Sequence, residues 1–155
     1  MLQKETAFQE LMPDNHCYGC GAENDKGLQI KSYWVDELTA ECHFRPEPHH
    51  CAGPLQYLNG GIIATVIDCH CVGMAMAKAY LDEGRKIGSG EKIWFVTGKL
   101  DLSYQRPTLV DEVVTVVAKI EDVTNKKIVL SCELSNGKEV CVTAKVVAIR
   151  VPSDW

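Results

Sequence analysis

The sequence predicts an α+β fold in which an antiparallel sheet of about five to six strands wraps one long central helix. Two observations carry this expectation. Between Ile62 and Ala77 the only polar side chains are Thr65, Asp68 and His70. A helix so apolar around its whole circumference belongs inside a structure rather than on its surface. On either side lie segments whose apolar residues recur at every second position, the period of a strand with one buried face. Only this helix is available to cover those faces, so the sheet has to curl around it.

The elements follow in chain order. Residues 1–27 read as a lead-in rich in turns. Leu28–Trp34 alternates apolar and polar residues, and Thr39–Phe44 partners it across a short connection at Asp36-Glu37. Pro46, Pro48, Gly53 and Pro54 make the following stretch, to Tyr57, a loop. The helix lies within residues 59–83, turning polar at Lys78, Asp82 and Glu83 where its end emerges, with Gly84 as a C-terminal stop. Four strands follow. Their apolar sets are Leu100, Leu102 and Tyr104; Val114, Val116, Ala118 and Ile120; Ile128, Leu130, Cys132 and Leu134; and Val140, Val142, Ala144, Val146 and Ala148. Asn136-Gly137 is a strong hairpin signal, and Thr124-Asn125-Lys126 marks another turn. The outer face and the edges of such a sheet stay partly uncovered, which favours association of copies.

With 155 residues, no internal repeat and no linker, the chain reads as one domain spanning 1–155. A chain of this size buries roughly 70% of its unfolded surface and needs no covalent staple. A net charge of -5 gives no general attraction to phosphate backbones, which argues against nucleic acid as a partner. The first residues carry no apolar run of the kind that leads a secreted chain. The stretch Ile62–Ala77 is too short and too interrupted by Asp68 to span a bilayer. The expectation is a cytoplasmic protein with no membrane partner. In a reducing compartment its eight cysteines serve as thiols, metal ligands or catalysts rather than as disulfides.

Asn59-Gly60-Gly61, with Asp68 as the seventh residue after Gly61, is similar to the helix-start signature of the hot-dog-fold acyl-CoA thioesterases. That signature is His-Gly-Gly, six residues, then an acid. Cys17-Tyr18-Gly19-Cys20-Gly21, then Asn24, Gly27 and Leu28, resembles the lead-in of one branch of that family. Thr97 to Pro107, with its Thr and its Arg106-Pro107 end, resembles the strand that follows the helix. The resemblance runs from about residue 16 to residue 150. It implies a hot-dog fold, hydrolysis of an acyl-CoA to a carboxylic acid and free coenzyme A, and a homodimer or dimer of dimers. It implies no cofactor beyond the coenzyme A of the substrate. The chain departs from the signature at Asn59, where the family has His. Asn keeps a hydrogen-bond donor but cannot carry positive charge.

These residue types suit thioester chemistry. The start of a helix offers unpaired N–H groups at the positive end of its dipole, suited to an oxyanion. Gly60 and Gly61 let a carbonyl approach closely. The Gly61 N–H is therefore expected in the oxyanion hole, with the Asn59 side chain as a second donor. Seven residues is almost two helical turns, so Asp68 lies on nearly the same face as Gly61. A carboxylate in an apolar run either raises its pKa, which suits a general base, or finds donors. Sequence leaves open whether Asp68 activates water, attacks the thioester or merely caps a neighbouring backbone group. Thr97 implies, through the resemblance, a hydroxyl that positions water or carboxylate, contributed by either subunit; a strand-start Thr satisfied by backbone is the plainer reading. Tyr57 and Pro54 lie ahead of the helix near an acyl pocket, or simply pack the loop. Lys99, Arg106 and Arg150 are candidates for coenzyme A phosphates.

Three groups combine Cys and His: His16, Cys17 and Cys20; His49, His50 and Cys51; Cys69, His70 and Cys71. A structural zinc site needs four ligands, and no second Cys-x-x-Cys completes one. Cys69 and Cys71 face different sides of the helix. No metal is expected. Two rival functions remain: a hot-dog dehydratase, disfavoured without an imidazole at position 59, and an acyl-CoA-binding protein without turnover.

Overall fold

The computed structural model describes residues 2–155. Six strands form one sheet: β1 (Ser32–Asp36), β2 (Thr39–Phe44), β3 (Trp94–Tyr104), β4 (Val114–Val123), β5 (Lys127–Asn136) and β6 (Glu139–Val151). Every pairing is antiparallel, in the order β1-β2-β4-β5-β6-β3, so β1 and β3 are the edges. The helix α1 (Gly60–Asp82) joins β2 to β3 and lies against the sheet's inner face.

The alternation in the sequence becomes the core directly. Cys42, Val116, Ala118, Leu130, Leu134, Val142, Val146 and Ala148 all point inward and are buried, and Val66, Ile67, Met74 and Ala75 of α1 fill the space they enclose. Helix α1 is long and apolar enough by composition to cross a membrane, a longer span than the apolar run alone suggests, but most of that span is covered by the rest of the chain. Its far end closes as a glycine stop should. Gly84 sits at φ +67 and the Arg85 N–H donates to the Tyr80 carbonyl. At the β5–β6 hairpin Gly137 takes φ +56, the conformation that an Asn-Gly turn needs.

Two strands differ from expectation. The ladder of β1 begins at Ser32 rather than Leu28, because Gln29 adopts φ 58 and turns the backbone out of the extended region. Leu28 and Ile30 are nonetheless buried, so the alternation marks the core face correctly without marking pairing. Strand β3 starts at Trp94, well before Lys99, and a bulge at Gly98 shifts its register against β6. A Cβ at Gly98 would lie 2.5 Å from the Ile149 side chain, so the bulge needs glycine. Beyond it, Leu100 and Tyr104 are 37% and 53% exposed rather than buried like the apolar sets of β4–β6. They belong to the exposed half of an edge strand.

The lead-in is bound into the core by a polar chain through His70, which is fully buried. Its Nε2 lies 3.2 Å from the Ala40 carbonyl, which can only accept, so Nε2 carries the proton. Its Nδ1 then accepts from the Ser32 hydroxyl at 2.8 Å, and that oxygen accepts from the Gln9 amide at 3.0 Å. Gln9 Oε1 in turn accepts the Ser32 N–H at 2.9 Å. The amide fits because Gly73 has no side chain; a Cβ there would lie 2.9 Å from Gln9 Nε2. Burial pushes the imidazole down to about 4, so it stays neutral.

Candidate active site

Asp68 stands on the part of α1 that the sheet leaves half-open. Strand β3 passes over it, and the Thr97 hydroxyl donates to Asp68 Oδ1 at 2.6 Å. The bulge at Gly98 immediately follows. Removal from water pushes the Asp68 carboxyl above the usual carboxylate range, against the opposing effect of the Thr97 bond; the Cys17 sulfur nearby adds to the rise. Thr97 engages Oδ1, and Asp68 lines a cavity of about 250 Å³. Val72, Met76, Trp94, Phe95 and Val96 give that cavity a mostly apolar wall, and Asn15, Cys17 and Cys20 of the lead-in form another side. Asp68, Cys69, Val72 and Met76 recur at helical spacing, a signal that was present in the sequence. The larger depression on the outer face of the sheet, around Lys119 and Glu133, is remote from this chemistry.

The start of α1 lines a second, separate groove of about 360 Å³ with Tyr57, Gly60, Tyr104 and Arg106. Tyr57, Gly60 and Arg106 thus meet at one place, while Pro54, Lys99 and Arg150 do not line it; Tyr104 joins the groove to the helix, its hydroxyl donating to the Gly60 carbonyl at 2.7 Å. Arg106 is exposed and pairs with Glu139 at 3.1 Å. Arg150 pairs with Glu83 at 2.8 Å. His49 and His50 cluster with Glu47 rather than with Asp68.

Asn59 departs from the expected arrangement. It is the N-cap of α1, and its Oδ1 accepts the N–H groups of Gly61 at 2.8 Å and Ile62 at 3.1 Å. The Gly61 N–H is therefore not free for an oxyanion here. A cap preference for Asn explains why. Among the described residues, the donors left at the helix start are the Gly60 N–H and the Asn59 NH2 group.

Asp68 and Gly61 share a helix face but lie about 10 Å apart along its axis. An oxyanion donor and an attacking group at one carbonyl both sit within roughly 3.5 Å of the reacting atoms. The two features of a single chain therefore cannot serve the same thioester.

The thioesterase superfamily profile matches residues 55–148, which spans α1, strands β3 to β5 and most of β6. This chain belongs to the thioesterase superfamily. Its fold is the hot-dog fold. A thioesterase superfamily protein from Shewanella loihica is 32% identical over 90% of this chain and 96% of that one, with a TM-score of 0.64. The E. coli PaaI protein, from the phenylacetic acid degradation operon, is 18% identical over 84% of this chain and 87% of its own, with a TM-score of 0.66. A thioesterase from Haemophilus influenzae is 13% identical, covering 81% of this chain and 80% of that one, at a TM-score of 0.64. At the latter two identities the likeness is one of fold. No curated protein matches the chain.

Proposed function

We propose that this member of the superfamily hydrolyses an acyl-CoA thioester to a carboxylate and free coenzyme A. The observation that carries the reading is Asp68: a carboxylate with raised proton affinity, held at one oxygen by Thr97 and lining an apolar cavity. In this reading Oδ2 takes the proton of a water that attacks the thioester carbon, while Thr97 keeps the carboxylate in place. The Gly60 N–H and the Asn59 NH2 group of a second copy receive the developing oxyanion. Coenzyme A enters as part of the substrate, and the hydrolysis uses no other cofactor.

The separation of Asp68 from its own helix start supports a homodimer, and so does the exposed half of edge strand β3 with Leu100 and Tyr104 on it. Eight unpaired thiols suit a reducing, cytoplasmic setting.

Thiol release from a panel of short, long and aryl acyl-CoAs tests the reading, with turnover of at least one member expected. Tight acyl-CoA binding with no release across the panel would replace it with a binding protein, the alternative that the engaged Gly61 N–H favours.

Two variants separate the roles of Asn59. Asn59→Ala removes the cap and is expected to lower unfolding free energy by about 1 kcal/mol. Asn59→Asp keeps an acceptor for the Gly61 and Ile62 N–H groups but has no NH2. Denaturant titration should find it as stable as wild type, while kcat falls by roughly 10²-fold, the cost of one oxyanion donor. Full kcat in Asn59→Asp would remove the side chain from the oxyanion hole.

A further inference from the structure

Three thiols meet beside the Asp68 cavity, and the proposed hydrolysis uses none of them. Cys17, Cys20 and Cys69 place their Sγ atoms within 4.8 Å of one another, and Cys17 and Cys69 are 3.7 Å apart. All three are free thiols. Cys17 and Cys20 come from one loop, but Cys69 is 52 residues from Cys17 in the chain, so only the fold assembles the trio.

The loop is built to bring them together. Cys17 and Cys20 flank Tyr18-Gly19, and a Cβ on Gly19 would lie 2.2 Å from Cys69 Sγ. Glycine there lets the loop press its two sulfurs against the helix. The tight return at Gly21, whose N–H donates to the Cys17 carbonyl at 2.8 Å, folds the pair onto one side. Asn15 fastens the loop from beneath, accepting the Cys17 N–H at 3.1 Å and turning its NH2 toward Cys20 Sγ at 3.8 Å.

Zinc bound to thiolates at about 2.3 Å in a tetrahedron sets neighbouring sulfurs about 3.8 Å apart. The Cys17–Cys69 separation is that of a tetrahedral edge, whereas a disulfide requires about 2.05 Å. Cys71, the other thiol of this helix segment, faces Cys132 instead and takes no part. Among the described residues no carboxylate, imidazole or fourth thiol shares the same mutual reach, Asp68 included.

We propose that Cys17, Cys20 and Cys69 bind one zinc ion through three thiolates, with the fourth position open to the Asp68 cavity. The ion ties the lead-in to α1 and fixes the cavity wall that Asn15, Cys17 and Cys20 form. Three protein ligands and one exchangeable position make it a partly open site rather than a closed structural one.

The test uses the full chain, purified with reductant and without chelator. Elemental analysis should find one zinc per chain. The metal-free protein should bind one Co²⁺ with an intense thiolate-to-metal absorption band and the visible bands of tetrahedral cobalt, and added Zn²⁺ should abolish both and raise the thermal midpoint. Cys17→Ser and Cys69→Ser should each lose the thiolate band, while Cys51→Ser keeps it; circular dichroism checks that each variant is folded. The wild-type spectrum decides the matter even where a variant fails to fold. A metal-free protein that gives no thiolate band with Co²⁺ overturns the site. So does zinc retained undiminished in folded Cys69→Ser, which would place it at Glu47, His49 and His50. A disulfide among the three in the absence of reductant, with no metal bound, overturns it as well. Metal content is read independently of thiol release, so either proposal can fail without the other.

Discussion

Asp68→Asn is expected to leave the protein folded and to lower kcat/KM for acyl-CoA hydrolysis by roughly 10²–10⁴-fold, the range for loss of a positioned general base. Asn has the same shape, and its carbonyl oxygen can still accept from the Thr97 hydroxyl that now bonds Oδ1 at 2.6 Å. What disappears is the second oxygen's capacity to take a proton. Because burial disfavours the ionised carboxylate, the neutral amide should not cost stability, and a thermal midpoint equal to or above that of wild type is the companion result. Loss of rate without loss of stability would tie the carboxylate to the chemistry. A variant that keeps its rate would reduce Asp68 to a polar contact of Thr97, and the proposed mechanism would fall with it.

The largest expected effect on stability is at His70→Leu. Leucine approximates the volume of the ring but offers neither nitrogen. The Ala40 carbonyl loses its donor and the Ser32 hydroxyl its acceptor, both in a fully buried setting. Each orphaned group costs about 1–3 kcal/mol, so a total of about 3–4 kcal/mol is expected by denaturant unfolding. The same residue sets a pH dependence. With a folded pKa of about 4 against an ordinary 6.5, His70 resists a proton that the unfolded chain accepts. Its contribution is therefore complete above about pH 6.5 and shrinks as the pH falls toward 4, by about 3 kcal/mol across that window. His70→Leu should lack this acid slope relative to wild type. An equal slope in both proteins would show that other groups govern acid lability.

Much of the fold was legible because its signals are local. The apolar run of α1, the period-two faces of β4, β5 and β6, and the turn at Asn136-Gly137 each follow from a few neighbouring residues. The misreadings arise where one backbone conformation breaks a pattern. Gln29 in the left-handed region uncouples burial from pairing before β1, and the bulge at Gly98 hides the first four residues of β3 by reversing the phase of its side chains. At the site, the helix-start spacing located Asp68, and Thr97 came from the resemblance. The engagement of the Gly61 N–H was not legible as chemistry, because Asn before a helix is both a common cap and a plausible donor. The meeting of Cys69 with Cys17 and Cys20 was out of reach, since no local period connects a loop to a helix face so far along the chain.

The lead-in has almost no regular secondary structure, yet Phe8, Gln9 and Met12 are buried. Its anchors lie far downstream: Gln9 binds Ser32 and sits over Gly73, and the Gln3 side chain accepts the N–H of Ile87. During synthesis the lead-in therefore leaves the ribosome well before the residues it packs against. It must wait, with its apolar side chains unprotected, until the helix and the loop beyond it have emerged. In a topology dominated by such distant closures the nascent chain passes through a long interval of vulnerability to aggregation and to chaperone capture.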